Sequence, residues 1–450
     1  MVNKVNSKSM NWSQLITTKR FGMEDYHQKH DDRSEFERDF DRLVFSPAFR
    51  RLQNKTQVFP LPGHIFVHNR LTHSLEVSTV GKSIGNKIST ELYKKYPEIP
   101  SLFSIGAIVS AACLAHDLGN PPFGHSGEKA IGAFFSESVG QSYKEIVDVL
   151  PEQWSDFEKF EGNANTFRML TNKFLGRRDG GFVLTYSTLA SIVKYPYPSI
   201  ASPNGKNKFG FFQSDIDSYQ KISNELGIPL LLEKENCFAR FPLVYIVEAA
   251  DDICYQIMDV EDAFKLKIFD FQQIKNMFFP FFDCVKQERI ERILKNIYDE
   301  NEKIAYLRSS VIGTLVESVS DVFLQHEQEI LNGSFNKSLI SALPKEKYDV
   351  YNNVSQLSLK YIYQSQMVVD IELAGYKIIY ELLKVLIEAI MSPKKAYSQQ
   401  ILRRIPAQYD IYSDSNYIKI LSVLDYISGM TDVYALDLYR KINGMSLPMI

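Results

Sequence analysis

Cysteine is scarce in this sequence, and its few copies do not form pairs. The 450 residues contain four cysteines, Cys113, Cys237, Cys254 and Cys284, and none of them belongs to a CxxC motif. Zinc ribbons need closely spaced cysteine pairs and small secreted folds need a dense set of disulfides, so both classes are excluded. Isolated thiols of this kind suit a protein of a reducing compartment.

Long hydrophobic runs are missing as well. The longest apolar run, Ile105–Ala115, is too short to span a bilayer. The first residues, MVNKVNSKSMNWSQLI, lack the continuous apolar segment of a signal peptide. We therefore expect a soluble, cytoplasmic protein without a membrane partner.

Neither sign of charge dominates. Lys and Arg number 51 against 54 Asp and Glu, for a formal net charge of -3, so any contact with nucleic acid has to come from a local patch. Hydrophobic residues make up 45% and charged residues 23%, which is typical of a folded globular protein and excludes wholly disordered or collagen-like chains. The length allows one large helical body or up to about three domains.

Strand-like alternation is rare, whereas apolar residues recur at helical spacing, so the sequence predicts an all-α fold without internal repeats. The segment 195–227 is rich in Pro, Gly, Asn and Ser and is predicted to be a long connection or hairpin. Helices are predicted at 35–45, 70–90, 102–116, 127–135, 164–173, 189–194, 240–264, 271–300, 303–333, 349–391 with breaks, and 416–442.

Three of the eight histidines stand in unusual sequence contexts: His73 in NRLTHSLE, His116 in LAHDLGN and His125 in FGHSGE. His116 and Asp117 end an apolar helix and precede a loop rich in helix breakers, which would place both side chains at the mouth of a cavity. Imidazole nitrogens and carboxylate oxygens suit Mn²⁺, Mg²⁺, Fe²⁺ or Zn²⁺ in an open catalytic site. Taken alone, a His-Asp doublet is more often an ordinary hydrogen-bonded pair at the surface.

The segment VYIVEAADDICYQIMDVEDAF places four carboxylates and a phenol on one helical stripe, at spacings of three or four residues. Its apolar neighbours predict that this helix is largely buried. Buried like charges are costly unless a cation or the hydroxyl groups of a ligand compensate them. We therefore favour a binding site over a solvated acidic face. The stripe consists of Glu248, Asp251, Tyr255, Asp259 and Asp262.

These segments and several others resemble the bacterial deoxyguanosine-triphosphate triphosphohydrolase family, within the HD-domain phosphohydrolase superfamily. Seven blocks in the same order are spread over most of the chain, from 33 to 440, which is far more specific than one His-Asp doublet. They are RSEFERDFDRLVFSPAFRRLQNKTQVF (33–59), HNRLTHSLEV (68–77), AACLAHDLGNPPFGHSGEKA (111–130), FEGNANTFRML (160–170), VKYP (193–196), EAADDICYQIMDVEDA (248–263) and DYISGMTDVYALDLYR (425–440).

The resemblance implies one divalent metal ion per site, Mn²⁺ or Mg²⁺ first and Fe²⁺, Zn²⁺, Co²⁺ or Ni²⁺ as alternatives. Of two adjacent aspartates, Asp251 is the implied ligand, because the family's metal aspartate precedes a tyrosine by four residues and an aspartate by eight. Tyr255 and Asp259 satisfy that spacing only from Asp251. The implied metal ligands are His73, His116, Asp117 and Asp251.

The resemblance also implies that His125 is the catalytic histidine and Glu128 its acidic partner. Their i, i+3 spacing at the start of a helix allows the carboxylate to orient the imidazole. Asn163 is an implied phosphate contact, although it could instead be a turn or N-cap residue. The other implied substrate contacts are Arg70 and Lys194 to phosphate, Tyr195 beside Lys194, Tyr255 to the sugar, and Gln57 and Asp259 to its 3'-hydroxyl.

The implied reaction is hydrolysis of a deoxynucleoside triphosphate, with dGTP favoured, to the deoxynucleoside and inorganic triphosphate. Two alternatives remain: an HD-domain phosphohydrolase acting on another nucleotide, and an oligomeric regulator that binds single-stranded DNA and has a vestigial site. The resemblance further implies a homo-oligomer, commonly a hexamer, and single-stranded DNA as an effector. We expect one helical unit over 1–450, with an HD core at 60–270 and a carboxy-terminal region at 271–450 packed on it.

Overall fold

The computed structural model describes residues 9–25, 32–59, 67–203 and 206–446, and within them the prediction of an all-α fold is confirmed. Within these residues, β1 (Leu230–Leu232) and β2 (Cys237–Phe238) form a short antiparallel hairpin, which is a two-stranded sheet. The helices of the first half are α1 (Trp12–Leu15), α2 (Glu35–Val44), α3 (Pro47–Arg51), α4 (Arg70–Lys95), α5 (Ile105–Ala115), α6 (His125–Ser136), α7 (Ser138–Lys144), α8 (Pro151–Glu158), α9 (Gly162–Thr171), α10 (Tyr186–Ile192) and α11 (Ile216–Leu226). Those of the second half are α12 (Val244–Lys265), α13 (Phe271–Phe278), α14 (Cys284–Leu294), α15 (Glu300–Gln325), α16 (Glu327–Leu331), α17 (Lys345–Ser358), α18 (Gln366–Met391), α19 (Ala396–Leu402), α20 (Asn416–Ser428) and α21 (Asp432–Ile442), with a π-helical turn at Leu359–Tyr363.

Helix α5 lies at the centre of the fold. All but one of its residues are buried, because its sequence IGAIVSAACLA is apolar or small on every face. Helices α4 and α12 pack against it. Helix α4 starts at a reciprocal cap, in which the Asn69 side chain accepts from the Thr72 amide and the Thr72 hydroxyl accepts from the Asn69 amide. Of the residues predicted to bind metal, His73 lies in α4, Asp251 lies in α12, and His116 and Asp117 directly follow α5.

The apolar interior consists of two clusters. The first joins α2, α4, α5, α10, α12 and α15 and extends to Val368 at the start of α18. The second joins α6 and α8 to α18, α19, α20 and α21. Helices α13 and α17 share a core with α12. Helix α18 packs on α6, and helices α19, α20 and α21 pack on α18. The domain limits at 60–270 and 271–450 stay a prediction.

One part of the sequence-based assignment is wrong. The segment 195–227, predicted to be a connection or hairpin, contains helix α11, and the hairpin comes after it. Helix α11 forms because Tyr219, Ile222 and Leu226 bury one side of an otherwise polar helix, and Gly227 ends it with φ 66°. The high content of turn-forming residues upstream hid that short apolar stripe. Within the described ranges, no helix is both long and apolar enough to cross a membrane.

Candidate active site

A cavity of about 1010 Å³ opens between α4, α6, α12, α18 and the loop that follows α5. It is lined by every predicted site residue except Asp259. Ligand pockets typically measure about 300 to 1,000 Å³, so this space suits a nucleotide. A separate cavity of about 690 Å³ contains none of the predicted site residues and is lined in part by Arg20, Arg42, Arg177 and Arg178.

Two histidines and two aspartates meet on one wall of the larger cavity. His73 Nε2 lies 3.1 Å from Asp251 Oδ1, and His116 Nε2 lies 3.4 Å from the same oxygen and 3.7 Å from Asp117 Oδ1. Ligand atoms of His73, His116 and Asp117 all lie within 4.8 Å of one another. The predicted ligands, which come from three separate segments, are therefore close enough to share one cation.

His116 is prepared to offer a lone pair to such a cation. Its Nδ1 lies 2.6 Å from the carbonyl oxygen of Cys113, so the imidazole proton is assigned to Nδ1 and donated to that oxygen. The buried Nε2 makes no hydrogen bond within the described part of the chain. Burial opposes protonation of His116, but the carboxylates of Asp117 and Asp251 outweigh it and raise its pKa to about 9. This wall therefore favours a positive charge, either a proton on Nε2 or a cation that takes its place.

Asp117 is held from two sides. Arg70 Nη1 donates to its Oδ2 at 2.7 Å, and the Asn120 side-chain amide donates to its Oδ1. Burial opposes ionisation, but the positive charge of Arg70 outweighs it and lowers the pKa of Asp117. Gly124, with φ 56°, makes room for the same guanidinium, since an added Cβ would lie 2.4 Å from Arg70 Nη2. Arg70 Nε is buried without a hydrogen-bond partner among the described residues and remains available as a donor.

His125 and Glu128 form a hydrogen-bonded pair at the start of α6. His125 Nδ1 lies 2.8 Å from Glu128 Oε2, and Glu128 Oε1 accepts from the Gly162 amide at 2.8 Å. The bond to Glu128 raises the pKa of His125. The His125 side chain is 71% exposed, whereas that of Glu128 is 12% exposed. Glu128 therefore holds the imidazole at Nδ1, while the rest of the ring stays accessible.

Two lysines and an asparagine also line the cavity. Lys194 Nζ lies 3.2 Å from Glu248 Oε1. Asn163 donates its side-chain amide to Glu161 Oε1 at 2.8 Å, and it is Glu161 that caps α9, so Asn163 is not the N-cap. Lys208 Nζ lies 2.7 Å from the same Glu161 oxygen. Sequence reasoning missed Lys208 because it lies in the irregular segment after the VKYP block, where no helical spacing relates it to the other residues.

Of the predicted sugar contacts, Tyr255 and Gln57 line the cavity, whereas Asp259 is separated from it by Tyr363, a residue that the sequence did not suggest. The Tyr255 ring stacks on that of Tyr363, with centroids 5.5 Å apart, and both line the cavity. The Tyr363 hydroxyl donates to Asp259 Oδ2 at 2.6 Å. Asp259 is 3% exposed and lies behind Tyr363 rather than at the surface of the cavity. Gln57 does line the cavity, and its buried Oε1 has no hydrogen-bond partner in the described residues.

Comparison with known proteins gives two family matches, an HD domain at 70–181 and a phosphohydrolase-associated domain at 342–441. A deoxyguanosinetriphosphate triphosphohydrolase-like protein of Synechocystis sp. is 37% identical over 97% of this chain and 100% of its own length. A protein of the same description from Listeria innocua is 34% identical over 97% of this chain and all of its own. A deoxyguanosinetriphosphate triphosphohydrolase of Yersinia pestis is 30% identical over 90% of this chain and 93% of its own.

Proposed function

The chain belongs to the deoxyguanosinetriphosphate triphosphohydrolase-like family, and on that premise we propose that it hydrolyses a deoxynucleoside triphosphate to the deoxynucleoside and inorganic triphosphate. One observation carries the proposal: the cluster of His73, His116, Asp117 and Asp251 opens directly into a nucleotide-sized cavity with cationic side chains. We favour dGTP as the substrate, because the relatives are named for it.

We propose that His73, His116, Asp117 and Asp251 hold one divalent ion, with Mn²⁺ or Mg²⁺ favoured over Fe²⁺, Zn²⁺, Co²⁺ or Ni²⁺. The donor set of two imidazoles and two carboxylates fits such an ion, and the buried Nε2 of His116 lacks another partner within the described residues. When bound, the ion supplies Lewis-acid polarisation of the α-phosphoryl group. Orientation, charge neutralisation and proton transfer fall to the other side chains of the cavity.

The triphosphate is proposed to lie against the cationic side chains. Arg70 brings a guanidinium to the metal-binding wall and retains an unpartnered Nε donor. Lys194 and Lys208 lie farther along the same cavity, with Asn163 and Tyr195 beside them. Three cations in a partly enclosed site offset much of the charge of a nucleoside triphosphate and fix its direction relative to the metal ligands.

His125 is proposed to manage the proton that must reach the 5'-oxygen leaving group. With Nδ1 held by Glu128, Nε2 is the atom left to exchange that proton. Glu128 is itself fixed by the Gly162 amide, so the pair has a defined orientation. Glu128 therefore orients the imidazole and stabilises its protonated form.

The stacked pair of Tyr255 and Tyr363 is proposed to pack against the deoxyribose, where an additional 2'-hydroxyl would be crowded. Gln57 offers its unpartnered Oε1 to the 3'-hydroxyl. Asp259 is proposed to act through Tyr363, whose hydroxyl it fixes, rather than by direct contact with the sugar.

We further propose that the protein is a cytoplasmic homo-oligomer, with a hexamer favoured, and that single-stranded DNA is an effector. Exposed apolar side chains at the start of α18, Met367, Val369 and Leu373, support a subunit contact there. Light scattering coupled to size-exclusion chromatography measures the assembly directly. A monomer at micromolar concentration would contradict the proposed assembly, and unchanged turnover with added oligonucleotide would contradict the effector.

The decisive experiment for the reaction is product analysis. The purified protein, loaded with Mn²⁺, is incubated with each deoxynucleoside triphosphate, and the products are separated by ion-exchange chromatography. We expect deoxyguanosine and inorganic triphosphate from dGTP. A monophosphate with pyrophosphate, or a diphosphate with phosphate, would instead indicate a different HD-domain phosphohydrolase, and binding of DNA without any turnover would indicate a regulator.

A further inference from the structure

The loop that leads into His125 has an unfavourable backbone conformation. Phe123 has φ 62°, in the left-handed region that residues with a Cβ rarely adopt. Such a conformation persists only where the surroundings hold it. The Phe123 amide donates to Asp432 Oδ1 at 2.9 Å, at the first residue of α21. A distant carboxy-terminal helix therefore fixes the backbone two residues before His125.

Helix α18 holds the side chain of the same residue. A Cβ added to Gly375 would lie 2.5 Å from Phe123 Cβ and 2.6 Å from Phe123 Cγ. The phenyl ring thus occupies the space that any other residue at 375 would fill. Glycine within a helix makes the helix less stable than alanine would. The Phe123 ring explains why α18 nevertheless has glycine at position 375.

The same two helices contact both sides of the cavity. One turn before Gly375, the Glu372 carbonyl accepts from Ser126 Oγ at 2.5 Å, within the first turn of α6. The second oxygen of Asp432, Oδ2, accepts from the Thr56 amide at 2.7 Å, next to Gln57 in the chain. The carboxylate of Asp432 therefore connects the backbone before Gln57 to the loop before His125.

Lys55 adds a third connection. Its Nζ donates to the Asn120 carbonyl at 2.6 Å and to the Ser428 carbonyl at 2.7 Å. Asn120 belongs to the loop after α5, and Ser428 is the last residue of α20. The loop between the candidate metal ligand Asp117 and His125 is thus attached to the carboxy-terminal helices at both ends.

We propose that α18 and α21 position the proton-transfer histidine: Gly375 and Asp432 hold Phe123, and thereby keep His125 at the start of α6 against Glu128. Gly375 and Asp432 are positioning residues, since neither lines the cavity in the described part of the chain. The inference rests on the proposed function for its catalytic consequence, but the placement of His125 is measurable without substrate.

The first test is Gly375→Ala in the full-length protein, with Gly313→Ala in α15 as the matched control. An added Cβ at Gly313 meets nothing within 4 Å, so both changes replace a helical glycine and only one displaces Phe123. Alanine favours the helix at either position. We expect Gly375→Ala to lower kcat for dGTP by about 10-fold to 100-fold, the scale of a misplaced catalytic group, with bound Mn²⁺ retained. Gly313→Ala should match the unsubstituted protein.

The second measurement follows His125 itself. Diethyl pyrocarbonate acylates neutral imidazole, and peptide mass spectrometry gives the rate at His125 as a function of pH. The charged groups that face His125 are Glu128, which raises its pKa, and Lys208 and Arg70, which lower it. We expect Gly375→Ala to shift the midpoint at His125 to lower pH, because the imidazole moves away from Glu128.

Asp432→Asn tests the backbone contact, with Asp437→Asn as its control. Asp437 lies on the same helix and pairs with Lys441 at the surface. Asparagine keeps one acceptor, so one of the two amides of Thr56 and Phe123 is left unpaired. We expect Asp432→Asn to lower kcat and the His125 midpoint in the same direction as Gly375→Ala, and Asp437→Asn to change neither.

Normal kcat and an unshifted His125 midpoint in Gly375→Ala would overturn the inference, and so would a lower kcat without a shift of that midpoint. These outcomes differ from failure of the proposed function, in which the unsubstituted protein does not hydrolyse dGTP while the midpoint at His125 still responds to Gly375→Ala.

Discussion

Nε2 of His116 lies 3.4 Å from Oδ1 of Asp251, although one residue follows α5 and the other lies within α12. The contact exists because α12 packs along α5 and α4, so that the acidic stripe of α12 faces the end of α5. A hydrogen bond to the Cys113 carbonyl fixes the His116 ring in the orientation that this contact needs. The wall of candidate metal ligands therefore depends on helix packing, which brings Asp251 to the His116-Asp117 doublet.

His116→Ala should remove bound metal and abolish turnover while the fold persists, because the helix before it is held by its own apolar residues. Metal content by plasma mass spectrometry, turnover of dGTP and a thermal melt are measured together. His326→Ala, which removes a half-buried histidine paired with Glu329 outside the cavity, is the control and should keep its metal content and turnover. Full metal content in His116→Ala would show that the ligand assignment is wrong.

His125→Ala should leave metal binding intact and lower kcat by about 10²-fold to 10⁴-fold, the usual contribution of a positioned acid or base. KM should change little, since the cationic contacts to phosphate remain. Steady-state kinetics with dGTP at saturating Mn²⁺ give both constants. Loss of the metal instead would make His125 a ligand, and an unchanged kcat would move proton transfer to another group.

Glu128→Gln should shift the pH dependence of kcat. Glu128 raises the pKa of His125, and an imidazolium that donates a proton loses activity as pH rises through that pKa. Removing the carboxylate lowers the His125 pKa, so the descending limb of the profile should move to lower pH. Glu145→Gln, at an exposed position, should leave the profile in place. If the descending limb does not move in Glu128→Gln, an acid other than His125 is responsible for that limb.

Hydrolysis in ¹⁸O-labelled water should place the label in inorganic triphosphate. Attack at the α-phosphorus forms the new P–O bond there and expels the 5'-oxygen with the deoxynucleoside. Mass spectrometry of both products locates the label. Label in deoxyguanosine would indicate attack at the 5'-carbon and would contradict the proposed role of His125.

Tyr255→Ala should narrow the ratio of kcat/KM for dGTP over GTP. The Tyr255 ring packs on Tyr363. Beside this ring, the 2'-hydroxyl of a ribonucleotide is left without a hydrogen-bond partner, which costs about 1 to 3 kcal/mol. In the alanine variant, the 2'-hydroxyl has more room and is solvated. Tyr298→Ala is the control, because that side chain is 97% exposed. A folded Tyr255→Ala protein with unchanged sugar selectivity, as judged by the two ratios and a melt, would contradict this role.

Asp259→Ala should lower kcat/KM for dGTP and for GTP to a similar extent, because Asp259 holds the Tyr363 hydroxyl and does not distinguish the two sugars. Tyr363→Phe should reproduce the effect if the hydrogen bond between them is responsible. Values of kcat/KM for both nucleotides in both variants decide this, and a loss in Asp259→Ala that Tyr363→Phe does not reproduce would place Asp259 at the 3'-hydroxyl, which both sugars carry.

The sequence predicts the long helices well because their apolar spacing is regular, as in α4 and α12. It overestimates helix length where a breaker lies inside an apolar stretch. The predicted helix at 271–300 is divided near Pro280, and that at 416–442 is divided near Gly429. Short helices such as α3 and α8 were not predicted, since a helix of one or two turns is stabilised by its neighbours more than by its own sequence.

Among the candidate site residues, those inside distinctive blocks were proposed from the sequence, and the cavity brings nearly all of them together. Tyr363 and Lys208 were missed because they reach the cavity through packing of a π-helical turn and of an irregular segment. Asp259 was expected at the sugar because it continues the spacing of Asp251 and Tyr255. Spacing along one helix cannot show that a ring from another helix covers the carboxylate.

The contact of Asp432 with Thr56 and Phe123 has an evolutionary consequence, because both donors are backbone amides. Any residue other than proline supplies that amide, so positions 56 and 123 are free to change without breaking the bond. Correlated substitutions between residue pairs, which reveal many side-chain contacts, therefore leave no trace of this one. Of the three residues in this contact, only Asp432 has to keep its side chain for the two bonds to persist.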